Sequence, residues 1–272
     1  AAGARPARTL VLQASDERYA PLLTRSRPVH ARWAARNNAT LRARVMRDGY
    51  ANLVRIWTLA NEVERGEFDW LLYVDADALI IDPTNVGIAA VMRTTRADGH
   101  AMAFCTAGRT PFELRLPPGT RVAPAARHDV NDGVFLADLR HPAIHQLACT
   151  WRRRAAWERW RATHPLSRWV AALRGQRGQK WISSQRLLQL TLADLSEHTG
   201  WAVYDRDTCA INYPNGSLVR HATWARKEKD KVRYMREAIR DAAAARAGGK
   251  TPLSARGLRT SAATPPRQPP MN

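Results

Sequence analysis

Trp70-Leu71-Leu72-Tyr73-Val74-Asp75-Ala76-Asp77-Ala78-Leu79-Ile80-Ile81-Asp82-Pro83 is the stretch on which the fold turns. An almost continuously apolar run meets two acids one residue apart. Such a run is what a strand shows when helices cover both faces of a parallel sheet, so it reads as a central strand. Residues two apart on an extended chain project to the same side. Asp75 and Asp77 therefore converge at the carboxyl edge of the sheet, where open α/β folds take their ligands. Two carboxylates so placed repel each other and are costly to bury unless a cation lies between them. Mg²⁺ or Mn²⁺ supplies that charge, accepts oxygen ligands and bridges to phosphate oxygens. Capping of the next turn, with Asp82-Pro83 making the bend, would need one acid rather than two.

Upstream, Thr9 to Ala14 reads as a buried strand, Ser15-Asp16-Glu17 as a polar turn, and the residues toward Arg36 as a helix. Leu41 to Val45 follows as a second strand. Tyr50 to Glu64 places Leu53, Ile56, Trp57, Ala60 and Val63 on one helical face, and Gly66 suits its C-terminal end. Downstream, a helix is expected near Val86 to Arg93, a strand at Ala101 to Cys105, a Pro/Gly loop at Leu116 to Gly119 and a strand at Val130 to Asp138. His141 to His164 reads as a helix with Ile144, Leu147, Ala148 and Trp151 on its apolar side. Trp157, Trp160 and Trp169 read first as core or lid packing, and second as a platform for sugar rings or bases. Ile182 to Leu195 is a further helix. Ala202 to Ile211 and Leu218 to Ala222 are strand-like, and Lys229 to Arg246 is a basic helix with Val232, Met235, Ile239 and Ala242 inward. The expected organisation is a flexible segment over 1–8, a single α/β domain over 9–247 and a disordered basic tail over 248–272.

No run approaches the roughly 20 apolar residues needed to cross a bilayer. Cys105, Cys149 and Cys209 are too few for a disulfide scaffold or a Cys-rich zinc site and allow one bridge at most. The chain begins at Ala1 rather than Met, which leaves room for targeting or anchor residues upstream. With the sequons at Asn38 and Asn215, a Golgi or secretory lumen is favoured over the cytoplasm. The net charge is +19, and nine Lys/Arg residues between Arg152 and Lys180 face only Glu158. Such surfaces attract polyanions, although solvated basic helix faces read the same way and no nucleic-acid-binding motif is present.

Four further segments bear on the chemistry. Tyr50-Ala51-Asn52-Leu53-Val54-Arg55 precedes the acidic strand, and Asn131-Asp132-Gly133-Val134-Phe135-Leu136 opens a later one. Ser183-Ser184-Gln185 starts a helix, and Ile211-Asn212-Tyr213-Pro214 leads into Val219-Arg220-His221 and Lys227. With the Asp75-Ala76-Asp77 motif, these resemble the GT-A nucleotide-sugar glycosyltransferases. The resemblance is strongest to glycosyltransferase family 34, the galactosyl, mannosyl and xylosyl transferases, with family 8 nearly as close. It implies a Rossmann-like, mostly parallel central sheet flanked by helices, and a retaining transfer of a hexose or pentose from a UDP- or GDP-sugar to a glycan or other hydroxyl acceptor. It implies that Asp75, Asp77 and His221 hold Mn²⁺ or Mg²⁺. Ser15, Arg55, Gly133 and Lys227, or Arg226 in its place, lie with the nucleotide-sugar donor, and Asn131, Asp132 and Gln185 act at the reacting sugar. The departure is Ser183-Ser184, where relatives usually carry at least one carboxylate before the Gln.

Two rival readings remain. A hydrophobic strand ending in Asp-x-Asp also resembles the nucleophile motif of haloacid-dehalogenase-type phosphatases, with Asp75 attacking phosphate and Asp77 serving as acid. That motif normally ends the first strand, and the later paired-acid motif is absent here. The high charge and Ser183-Ser184 also fit a catalytically inactive basic module that binds polyanions on the same scaffold.

Overall fold

The computed structural model describes residues 7–46, 51–82, 87–111, 128–166, 184–195, 200–204, 211–212, 218–222 and 228–247. Its elements are β1 (Thr9–Asp16), α1 (Ala20–Arg36), β2 (Ala39–Met46), α2 (Ala51–Arg65), β3 (Trp70–Asp75), β4 (Ala78–Ile80) and α3 (Gly87–Ala97). They continue as β5 (Met102–Pro111), β6 (His128–Asp138), α4 (Pro142–Thr163), α5 (Ser184–Asp194), β7 (Trp201–Tyr204), β8 (Val219–His221) and α6 (Glu228–Ala247). Six strands form one sheet in the order β2-β1-β3-β6-β5-β7, and β4 and β8 form a separate pair. β3 runs parallel to β1, which runs parallel to β2, while β6 is antiparallel to both β3 and β5. The expected central strand is thus central, and a single reversed strand interrupts an otherwise parallel arrangement.

Leu71 and Tyr73 point into one apolar cluster, Trp70, Leu72 and Val74 into another on the opposite face. This two-sided burial is the reason the run is continuous rather than alternating. On the first face Tyr73 stacks on Phe135 of β6 with ring centroids 5.1 Å apart, and Trp151 of α4 meets Phe135 edge-on at 6.4 Å. Aromatic pairs of this kind are worth about 0.5–1.5 kcal/mol beyond their buried area, and here they fix where the Tyr73 hydroxyl can reach.

The helices follow the apolar periodicity. On α2, Leu53, Ile56, Ala60 and Val63 are buried and Trp57 is partly buried, and Gly66 ends the helix at φ +60. Asn38 makes the α1-to-β2 turn at φ +49, a left-handed conformation that Asn tolerates better than most residues. His141 caps α4, its Nδ1 accepting from the Ala143 amide at 3.2 Å, and Ile144, Leu147, Ala148 and Trp151 are buried as expected.

Three readings are corrected. β1 continues through Ser15 and Asp16, expected as a turn, because both pair with Val45 and Met46 of β2. β5 extends to Pro111 rather than ending at Cys105. Trp157 and Trp160 do not pack in the core: they are 58% and 45% exposed. The loop at 116–119, Trp169, Lys227, the Asn215 sequon and the 248–272 tail lie outside the described residues. Cys149 is free, and Cys105 is disulfide-bonded.

Candidate active site at the sheet edge

β1 and β3 end side by side, with Ala14 paired to Asp75, and β6 passes there in the opposite sense, its ladder with β3 opening at Val134. The β3–β6 register closes at Val74 with Val134, so its next step sets Gly133 beside Asp75. The chain then turns through Ala76 into β4, which pairs antiparallel with β8 so that Ala78 faces His221. The Ala222 amide donates to the Asp77 carbonyl at 3.1 Å. This short ladder carries a histidine 144 residues downstream to within 3.1 Å of Asp77, measured from Nε2 to Oδ1.

Carboxylate oxygens of Asp75 and Asp77 and a ring nitrogen of His221 lie within 4.8 Å of one another. They line a cavity of about 400 Å³ shared with Ser15, Asp16, Tyr19, Arg55, Asn131, Asp132, Gly133, Ser184, Gln185 and Lys231. Every site residue expected from the sequence is therefore brought together except Lys227, which is not described.

The two acids are held differently. Asp75 Oδ1 accepts from Arg55 Nη2 at 2.8 Å and from the Tyr73 hydroxyl at 2.9 Å, which leaves Oδ2 facing His221 at 4.0 Å. Burial raises its pKa, and the Asp77 and Asp132 charges add to that against the pull of Arg55 and His221. Burial works the same way on Asp77, but His221 and Lys231 outweigh it and hold this carboxyl well below the usual range. Lys231 Nζ of α6 donates to Asp77 Oδ2 and lies 5.0 Å from the centre of the Tyr19 ring.

Arg55 is buried between carboxylates. Its Nη1 donates to both the side chain of Asp132 at 2.7 Å and the Asp132 carbonyl at 2.9 Å. Burial opposes its charge, but Asp132 and Asp75 more than offset that, so its pKa is raised. Both terminal nitrogens hold protein carboxylates, which makes Arg55 a clamp joining β3 to β6.

A divalent cation fits this cluster on three counts. Asn212 Oδ1 lies 2.7 Å from His221 Nδ1, so a neutral ring that donates there turns its Nε2 lone pair onto a carboxylate oxygen, a pairing that a cation or a proton must bridge. Four carboxylates, Asp16, Asp75, Asp77 and Asp132, line the cavity against two permanent cations, Arg55 and Lys231, in a chain of net charge +19. Position 133 admits no side chain, because a Cβ there would stand 2.5 Å from His221 Cε1 and 2.7 Å from Asp75 Oδ2.

Asn131 is turned onto its own strand, its Oδ1 accepting from the Gly133 amide at 2.9 Å. Ser15 Oγ is buried and has no partner among the described residues. Lys231 and Asn212 were not singled out from the sequence. Lys231 stands four residues before Met235, so it lies on the inward stripe of a helix that otherwise reads as a solvated basic element. Asn212 lies in a segment whose only sequence signal is its place ahead of the histidine.

No protein-family model matches the chain and no curated protein matches it. Among solved structures, a glycosyltransferase involved in glycosylation of the major capsid of PBCV-1 is 12% identical with a TM-score of 0.56, covering 85% of this chain and 100% of that one. The galactosyltransferase LgtC, solved with donor and acceptor sugar analogs, is 13% identical with a TM-score of 0.42, covering 85% and 95%. Mouse xyloside xylosyltransferase 1 is 14% identical with a TM-score of 0.41, covering 84% and 92%. At such identities the likeness is one of fold: the chain has the GT-A fold expected from its sequence.

Proposed function

We propose that this protein is a metal-dependent glycosyltransferase that moves a sugar from a nucleoside-diphosphate sugar, with UDP or GDP as nucleotide, to a hydroxyl acceptor such as a glycan. The observation that carries the reading is the convergence of Asp75, Asp77 and His221 at the sheet edge, inside a cavity whose acids outnumber its cations. Asp75, Asp77 and His221 would hold Mn²⁺ or Mg²⁺, which neutralises the charge that grows on the departing diphosphate. Asn212 orients the imidazole, and Arg55 with Tyr73 fixes one oxygen of Asp75 so that the other faces the ligand. Lys231 supplies a positive charge beside the phosphate position, the task the sequence reading gave to Lys227. Ser15 and Gly133 line the donor side, and Gly133 leaves the space in which donor and ion meet.

Asn131, Asp132 and Gln185 line the cavity where the reacting sugar and acceptor belong. No acid stands at Ser184, which lines the same cavity. Asp132 lines that cavity from β6, one of its oxygens held by Arg55, and is assigned the electrostatic support of the sugar cation. Retention of configuration follows from the family resemblance alone. The disulfide at Cys105 supports an oxidising compartment, in keeping with a secretory lumen.

The phosphatase reading lacks support in this geometry. Asp75 ends the third strand of the chain rather than the first, and one of its oxygens is held by Arg55 and Tyr73.

Thermal unfolding with UDP, GDP and their sugars, each with and without Mn²⁺, tests the proposal. A ligand at a hundred times its dissociation constant adds about 2.7 kcal/mol, and that gain is expected for one nucleotide only when the metal is present. Donor turnover in the same mixtures, with the anomeric configuration of the product read by NMR, tests transfer and retention. Salt-sensitive heparin binding without any metal-dependent nucleotide effect would replace the transferase with an inactive polyanion-binding module.

A further inference from the structure

Helix α4 is two-faced in an uncommon way. Ile144, Leu147, Ala148, Trp151 and Ala155 face the core. On the opposite stripe, spaced four, seven and eleven residues from exposed Arg153, come Trp157, Trp160 and His164. The rings form a ladder: Trp157 and Trp160 stack at 5.0 Å, and His164 meets Trp160 in a tilted contact at 4.5 Å. Leu166, 66% exposed, follows directly. Four large apolar side chains are exposed among the described residues, Val45, Trp157, Trp160 and Leu166, and three of them fall in the one stretch from Trp157 to Leu166. An apolar cluster left in water normally marks something that covers it.

Charge identifies the partner. The helix carries Arg152, Arg153, Arg154, Arg159 and Arg161 against Glu158 alone on its own length; Arg152, Arg154 and Arg161 pair with Glu64, Asp194 and Glu158, and Arg153 is exposed. The whole chain has a net charge of +19. Trp157 and Trp160 project outward from the helix and do not line the cavity at the sheet edge, whereas a sugar site is concave, and Trp160 has a ring neighbour on each side. Tryptophan edges beside arginines suit the headgroup zone of an anionic bilayer, where an amphipathic ring lies at the boundary and the guanidinium groups meet phosphates. No described helix is long and apolar enough to cross a membrane, so the element would lie on the surface.

The patch also stands at the pocket end of the molecule. α2 and α5 both start at the cavity, with Arg55 and Ser184, and both run away from it. Arg152 pairs with Glu64 near the far end of α2, and Arg154 pairs with Asp194 at the far end of α5. α4 starts beside Asp69, whose carbonyl accepts from the Leu139 amide at the end of β3 away from the cavity, and its Trp151 meets Phe135, two residues from Gly133; the helix thus runs toward the cavity end, and at about 1.5 Å per residue Trp157 to His164 lie roughly 10–20 Å farther along than Trp151.

We propose that the Trp157-Trp160-Leu166 patch and its arginines form a docking surface for an anionic lipid bilayer, which would hold the cavity mouth close to the membrane plane. Sedimentation of the full chain with vesicles of phosphatidylcholine, with and without about 30 mol% phosphatidylglycerol, tests this at about 0.15 M salt. The chain is expected to bind the anionic vesicles only, with quenching of tryptophan fluorescence by brominated lipid. The exposed double variant Trp157→Ala/Trp160→Ala should bind at least about tenfold more weakly and lose most of that quenching, and Arg153→Gln should weaken binding about fivefold. Circular dichroism and thermal unfolding of both variants should match the parent. Equal binding by the double variant, binding to neither vesicle, or a self-association abolished by the two substitutions would each overturn the proposal. The measurement uses neither metal nor nucleotide, so its result is independent of the transferase reading.

Discussion

At the residue scale, the site depends on groups whose neighbours leave them little freedom. Asp77 is the best-ionised of the cluster acids, so Asp77→Asn should remove the metal-dependent stabilisation by nucleotide and lower donor turnover by at least about a hundredfold, measured by thermal unfolding and donor hydrolysis. Asn212 acts through the imidazole it orients. Asn212→Ala should therefore weaken Mn²⁺ affinity about 10–100-fold in calorimetry while leaving the far-ultraviolet circular dichroism unchanged. Gly133 is needed for space, since a methyl there meets His221 and Asp75 at less than van der Waals separation. Gly133→Ala should cost about 1–3 kcal/mol in urea unfolding and abolish metal binding.

At the element scale, three pieces of chain are tied together by one guanidinium. Arg55 links α2 to the end of β3 through Asp75 and to β6 through Asp132. Arg55→Met would leave both acids without that partner, and breaking a buried pair from one side costs about 3–5 kcal/mol. Urea unfolding should show a loss of that size, and adding Asp132→Asn should recover part of it. The elements themselves were largely readable, because β3, α2 and α4 each carry the apolar period of their environment. The end of β1 was not, since Ser15-Asp16-Glu17 has turn composition and only pairing to Val45 and Met46 extends the strand. Trp157 and Trp160 mislead for a related reason: large apolar residues signal burial, but helix phase places this pair opposite Ile144 and Trp151.

At the scale of the whole molecule, stability is tied to pH through a histidine outside the cavity. His30 of α1 is fully buried and accepts from the Ile80 amide of β4 at 2.9 Å, and burial lowers its pKa from 6.5 to about 3. A depressed pKa means that the unfolded chain binds the proton more readily. The contribution of His30 is therefore complete above about pH 6.5 and is lost as pH falls toward about 3. The slope in that window is at most about 1.4 kcal/mol per pH unit. Urea midpoints between about pH 7 and pH 5 should fall more steeply in the parent than in a His30→Gln variant.

Resemblance to the GT-A transferases put His221 beside the two acids; sequence pattern alone determined that Trp70 to Val74 is a doubly covered strand and that Asp75 and Asp77 emerge from it on one side. Those last two conclusions rest on local periodicity and on the cost of burying acids, which a linear chain displays. Tertiary structure alone decided which cation meets Asp77, that Asn212 orients the histidine, that Arg55 is spent between two carboxylates, and that a pair of tryptophans faces outward. Each depends on strand register or helix phase between segments far apart in the chain, as in the β4–β8 ladder that joins Ala78 to His221. Long-range pairing is chosen by the packing of the whole core, and no window of sequence contains that information.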